Sequence, residues 1–253
     1  MKIDRVILST NEKKEYYDFW PLVSQRWKNW GITPELFVIS DKDLEIDNAY
    51  GNVTYVEPIK GFSTAQQSQI VRFFGATKYK DDICLISDLD MMPLNKEYFL
   101  HSVSYCDDKK IVFYSSDAYT PGNPAYPAYP MCYMAAKGST FEQIIGANFE
   151  EFSAEFKEWI AHGYGWFSDE KVFYEKLSNW SLLNKDNIML LRRGFNFGND
   201  PHFIRRIDRG NGCQYNDEFL KKKYYVDFHM PRPYKDFKNI IDFVYNSTNF
   251  ESQ

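Results

Sequence analysis

Positive charge is in short supply: 30 lysines and arginines face 35 aspartates and glutamates, a net charge of −5. A nucleic-acid partner gets no support from that balance, because such partners select a basic face. Cysteine is scarce too. Four in 253 residues (Cys84, Cys106, Cys132, Cys213) show no close spacing. They read as reduced, mostly buried thiols rather than zinc ligands or a disulfide framework. No window approaches the roughly 18 apolar residues of a membrane-spanning helix. Met1-Lys2-Ile3-Asp4-Arg5 runs directly into a strand pattern with no apolar leader. The expectation from these absences is a cytoplasmic protein, soluble or peripheral to a membrane. Asn52-Val53-Thr54 and Asn246-Ser247-Thr248 are then chance matches to the N-glycosylation pattern. No repeat, low-complexity tract or linker divides the chain, so it reads as one domain over 1–253.

What is present is an ordinary globular composition, 44% hydrophobic and 26% charged. The aromatic share, 18%, is high; a large core is its first explanation and sugar stacking its functional one. Apolar runs at Arg5–Leu8, Leu36–Ile39, Val53–Val56 and Ile83–Ile86 read as strands. Lys13 to Trp30 and Ser63 to Lys80 have helical periodicity, with Gly31 at a helix end. Strand–helix–strand order implies βαβ units and a mainly parallel sheet, an α/β class. Further on, Lys96–Val103 predicts a short helix, Lys110–Tyr114 a strand, Met131–Ala136 a strand and Phe149–His162 a helix. Ser168-Asp169-Glu170 opens another helix, Ile188–Leu191 is a strand, and Arg192 to Asn216 reads as one long irregular segment. Tyr224–His229 is the last strand; 236–253 is a terminal helix and tail.

The stretch Asp82–Leu94 carries the chemistry. Ile83-Cys84-Leu85-Ile86 fills a buried strand, and Ser87-Asp88-Leu89-Asp90 follows at its carboxyl end. Two carboxylates one residue apart repel strongly where water is partly excluded, unless a cation sits beside them. Mg²⁺ or Mn²⁺ takes oxygen ligands and fills its remaining positions with phosphates. Open α/β sheets bind ligands in the crevice at such strand ends.

In this setting the sequence resembles GT-A-fold glycosyltransferases, which carry an Asp-x-Asp signature. The resemblance runs from the first strand to Pro233. It implies a single GT-A-type, Rossmann-like domain with a central mainly parallel mixed β-sheet flanked by helices. Residues 1–95 would bind nucleotide, and 96–235 donor sugar and acceptor. The implied reaction moves a sugar from a nucleotide diphosphate sugar, UDP being the commonest nucleotide of the class, to a hydroxyl of a glycan or glycoprotein. The implied cofactor is Mn²⁺ or Mg²⁺, on Asp88, Asp90 and His229.

For the donor, the resemblance implies contacts from Ser9, Thr10 and Asp41 to base and ribose, with Ser87, Asp88 and Leu89 beside them. Arg72 and Arg232 would reach the diphosphate. The small residues Ala135, Ala136 and Gly138, with Lys137 among them, would floor the donor sugar. Gly165-Trp166-Phe167-Ser168-Asp169-Glu170 resembles the place where these enzymes offer an acid to the acceptor. Asp169, or else Glu170, would be the general base, ionised at neutral pH. If Asp169 takes the acceptor's proton the anomeric configuration inverts; were it too far away, a retaining route stays open. Tyr126, Tyr129 and Trp166 would form an acceptor wall, since aromatic faces suit sugar C–H surfaces. Arg192, Arg193, Arg205, Arg206 and Arg209 form either a salt-bridged surface loop or an anion-holding cluster. Two other readings stay open. One is a sugar-1-phosphate nucleotidyltransferase, although Ser9-Thr10-Asn11-Glu12-Lys13 lacks that class's glycine-rich loop. The other is an inactive nucleotide-sugar or glycan-binding protein.

Overall fold

A computed structural model describes residues 1–114, 116, 128–191 and 205–248. Its strands are β1 (Arg5–Asn11), β2 (Thr33–Ile39), β3 (Asn52–Val56), β4 (Ile83–Ser87), β5 (Met91–Pro93), β6 (Ile111–Phe113), β7 (Tyr133–Lys137), β8 (Ile188–Leu190), β9 (Arg205–Asp208) and β10 (Tyr225–His229). Its helices are α1 (Lys14–Tyr17), α2 (Trp20–Asn29), α3 (Thr64–Thr77), α4 (Gly138–Ile145), α5 (Phe152–Ala161), α6 (Ser168–Asn184), α7 (Asp217–Lys221) and α8 (Tyr234–Thr248).

Seven strands form the main sheet in the order β3-β2-β1-β4-β7-β6-β8. β1 lies parallel to β2 and β4, and β2 parallel to β3. Both faces of β1, β2 and β4 are covered, which is why their sequences are nearly continuous apolar runs. Alternation sends Val6, Leu8, Leu36 and Val38 into one core layer with Trp20, Val23, Trp27, Ile241 and Val244. Ile7, Phe37, Ile39, Cys84 and Ile86 enter the other, with Phe73, Phe74, Phe141, Trp159 and Phe173. Many of the aromatics therefore belong to the core. Arg26, buried on α2, donates to the carbonyls of Tyr245 and Thr248 and fastens the end of α8.

A second, three-stranded sheet has the order β5-β10-β9. β5 begins directly after Asp90 and runs antiparallel to β10, with Met91 opposite His229. β9 runs parallel to β10, with Asp208 opposite His229.

Some boundaries differ from expectation. The helix expected over Lys13–Trp30 is two, because Pro21 sits in the first turn of α2, where a missing N–H breaks no bond. The expected helix at Lys96–Val103 is one wide turn over Glu97–His101. The segment expected to be irregular contains β9 and a turn over Arg209–Asn211. Ser168 is the first residue of α6, and its hydroxyl donates to the Gly165 carbonyl. Among the described residues no helix is long and apolar enough to cross a membrane.

Candidate active site

The carboxyl ends of β1 and β4 open into a cleft with two chambers. The first, about 310 Å³, is lined by Ser9, Thr10, Asn11 and Tyr16 from the β1 side, Leu89 and Asp90 from the β4 side, and Arg209 and Arg232. The second, about 260 Å³, is lined by Met131, Cys132, Phe167, Asp169, Glu170 and Arg206. Gln69, Arg72, Asp88, Trp166 and His229 line both. These five form the sill between them.

Arg72 is the centre of the sill. Its side chain, on α3, is 6% exposed and bonds Asp88 through Nη1 and Asp169 through Nη2, the latter at 3.2 Å. Burial works against its charge, but the two carboxylates outweigh burial and hold it above its ordinary value. A guanidinium fork suits two anionic groups at once. Asp169, in the first turn of α6, is 4% exposed. Burial pushes its carboxyl up to about 7, and Arg72 offsets only part of that. The expectation of an ordinary, fully ionised acid is thus corrected: desolvation disfavours its charged form.

Asp90 faces a different set. Its Oδ2 lies 2.7 Å from Arg209 Nη1, 3.6 Å from His229 Nε2 and 3.9 Å from Arg232 Nε. Burial opposes ionisation, yet His229 and Arg209 hold the carboxyl below its usual range. His229 Nδ1 lies 3.3 Å from Asp208 Oδ2, so the ring sits between two carboxylates. Burial lowers its basicity, but Asp90 first and Asp208 after it raise it further. With Nδ1–H on Asp208, Nε2 is the atom left to face a cation, the usual second partner of a metal-bound histidine.

A Mg²⁺ or Mn²⁺ ion is commonly held by one or two protein groups plus substrate phosphates rather than by an all-protein cage. Asp90 and His229 fit that pattern, and imidazole suits Mn²⁺ better than Mg²⁺. Asp88 lines the same cleft and gives one carboxylate oxygen, Oδ1, to Arg72. Among the described residues no three His, Cys, Asp or Glu side chains form a ready-made metal cluster.

Of the remaining expected donor residues, Ser9, Thr10, Leu89 and Arg232 line the first chamber. Ser87 does not; it is fully buried, with its hydroxyl on the Asp88 carbonyl. Asp41 is exposed beyond β2 and lines neither chamber.

The donor-sugar floor at Ala135, Ala136, Lys137 and Gly138 is a correction. β7 runs antiparallel to β4, pairing Ser87 with Tyr133 and Ile83 with Lys137. These residues therefore lie toward the far end of the sheet from Asp88. Ala135 and Ala136 are wholly buried. Gly138 is small for another reason: a Cβ there would stand 2.5 Å from the Ala76 carbonyl oxygen and 2.3 Å from that of Tyr79. Gly138→Ala should cost about 1–3 kcal/mol of stability in urea unfolding and leave donor affinity untouched. A selective loss of affinity would restore the floor assignment.

Tyr126, Arg192 and Arg193 lie outside the described residues. Tyr129 packs on Phe113, ring centroids 4.5 Å apart, and belongs to the core rather than to either chamber wall. Trp166 is half exposed over both chambers. It follows Gly163 and Gly165, whose positive φ angles (77° and 58°) permit the tight turn that leads into it. Arg206 is bound by Asp227 at 2.7 Å.

Gln69, Tyr16 and Asp208 join the site without having stood out in the sequence. Gln69 precedes Arg72 by three residues on α3, a spacing that shares a helix face. Tyr16 stacks under the Arg232 guanidinium at 4.2 Å. Asp208 carries no sequence signal apart from its place beside Arg209.

No protein-family model matches the chain, and no curated protein is similar to it in sequence. Solved structures are similar in fold. The galactosyltransferase LgtC, solved in complex with donor and acceptor sugar analogues, overlaps 98% of this chain and 98% of its own, with TM-score 0.53 and 10% identity. An active-site mutant of LgtC gives the same values. The glycosyltransferase GlyE of Streptococcus pneumoniae TIGR4 covers 99% of this chain and 61% of its own, at 11% identity and TM-score 0.49. At these identities the likeness is one of architecture: the chain has the mixed α/β, mostly parallel-sheet fold of GT-A-like glycosyltransferases.

Proposed function

We propose that the chain is a glycosyltransferase. It moves a sugar from a nucleotide diphosphate sugar, UDP-linked by analogy, to a hydroxyl of a glycan or glycoprotein. The observation that carries this reading is the cleft itself. Guanidiniums and a histidine crowd the first chamber, a buried acid lines the second, and Arg72 touches both.

In this reading the nucleotide lies along Ser9, Thr10 and Tyr16, and its diphosphate beside Arg72, Arg209 and Arg232. A divalent ion on Asp90 and His229 would supply Lewis-acid stabilisation of the leaving diphosphate. The bond from the anomeric carbon to phosphate breaks and one to the acceptor oxygen forms. The guanidiniums stabilise the charge that grows on the departing oxygen. Asp169 receives the acceptor's proton, with Glu170 beside it, and Trp166 covers the join of the two chambers.

The test is calorimetry of UDP binding with Mn²⁺ and with chelator. Wild-type protein should bind at least about tenfold more tightly with Mn²⁺, a difference of about 1.4 kcal/mol. Asp90→Ala should erase that difference while the fold survives. A Mn²⁺ effect of wild-type size in the variant would remove Asp90 from the metal.

A further inference from the structure

Arg209 occupies the place on Asp90 that a cation would take. Its Nη1 is 2.7 Å from Asp90 Oδ2, the oxygen that also faces His229 Nε2 at 3.6 Å. Inner-sphere ligation would bring an ion such as Mg²⁺ to about 2.0–2.1 Å from that oxygen. A guanidinium hydrogen bond and a dication on the same lone pairs exclude one another. Two like charges at that separation also repel strongly in a partly buried site.

The surrounding structure fixes Asp90 and leaves Arg209 freer. Asp90 is held by its own carbonyl, which accepts from Met230 N at 2.9 Å. The Arg209 backbone is set by its turn, in which Asp208 Oδ1 accepts from Gly210 N at 2.6 Å. Its side chain, 27% exposed, has among the described residues one other contact in hydrogen-bonding range, the Met230 carbonyl at 3.4 Å. The guanidinium is therefore a tethered cation at the edge of the first chamber, able to leave Asp90 and stay beside it.

We propose that Arg209 is a resident counter-cation for Asp90, displaced when a divalent ion binds and passed to the donor's phosphates. Metal and nucleotide diphosphate then bind as a coupled pair. Without nucleotide, an arriving ion has to displace Arg209 and leaves its charge uncompensated. With nucleotide, the released guanidinium gains anionic oxygens, which suit its fork. By linkage each ligand raises the other's affinity by one common factor. This inference rests on the reading that Asp90 and His229 hold a metal.

The experiment is Mn²⁺ titration by electron paramagnetic resonance, with and without UDP. Wild-type protein should bind Mn²⁺ weakly alone and at least about tenfold more tightly with UDP. Arg209→Gln should bind Mn²⁺ alone about tenfold more tightly than wild type and show a smaller gain from UDP. Arg209→Lys, which keeps the charge, should restore weak binding. A merely structural role for Arg209 would lower Mn²⁺ affinity, not raise it. Arg209→Gln matching or falling below wild type overturns the proposal and leaves the metal reading intact. Wild-type protein that takes up no Mn²⁺ even with UDP overturns both.

Discussion

Asp169→Asn should lower kcat by about 10²–10⁴-fold, the range for removing a general base. Donor affinity should hold, because the amide oxygen can still accept from Arg72 Nη2, which lies 3.2 Å from the native carboxylate. The amide cannot take a proton. The pH profile separates this from a structural effect. Only the ionised acid accepts a proton, so wild-type kcat/KM should rise through about pH 7, where burial has placed Asp169, and the variant should lack that rise. Stability has the opposite slope. The folded value lies above the unfolded 3.8, so between those two pH values the native state binds more protons than the unfolded chain. Stability from this group is therefore full below the lower value and is lost as pH climbs toward 7. Asp169→Asn should flatten that slope too. Turnover at the wild-type level would remove Asp169 as the base.

Arg72→Met should destabilise the fold by about 3–5 kcal/mol, the penalty for stranding one side of a buried ion pair. Here one cation serves two anions. Asp169 is almost wholly enclosed and Asp88 is 35% exposed, so Asp169 should carry most of the loss. Adding Asp169→Asn to Arg72→Met should therefore recover part of the stability, a coupling that urea unfolding of the single and double variants measures. Independent, additive losses would show that Asp169 does not depend on Arg72. Donor affinity should fall in both proteins that carry Arg72→Met, since the second substitution returns no positive charge to the first chamber.

Much of the architecture was legible in the sequence for a simple reason. β1, β2 and β4 are buried on both faces, and continuous apolar runs leave no ambiguity about strand or position. Asp88 and Asp90 were findable because they end such a run. Strand direction was not findable. Met131–Ala136 reads the same up or down, and the antiparallel course of β7 is what moves Ala135, Ala136 and Gly138 away from the cleft. Arg72 lies off the apolar stripe of α3 and so reads equally well as a surface residue; its burial comes with Asp88 and Asp169, partners remote in sequence. β5 and β9, three and four residues long, are too short to show a period. The contacts of Arg209 and Asp208 with Asp90 and His229 depend on the sheet those strands make.

That small sheet has a consequence for biosynthesis. The seven strands of the large sheet are all present once Leu190 has been made, whereas His229 and its neighbours Asp208 and Arg209 come from β9, β10 and the turn between. A nascent chain paused on the ribosome after β8 holds all seven of those strands, while Asp90 still lacks Arg209, His229 and Arg232, the basic partners it meets in the finished protein. The basic lining of the first chamber is complete only after the last strand, when β10 has docked beside β5.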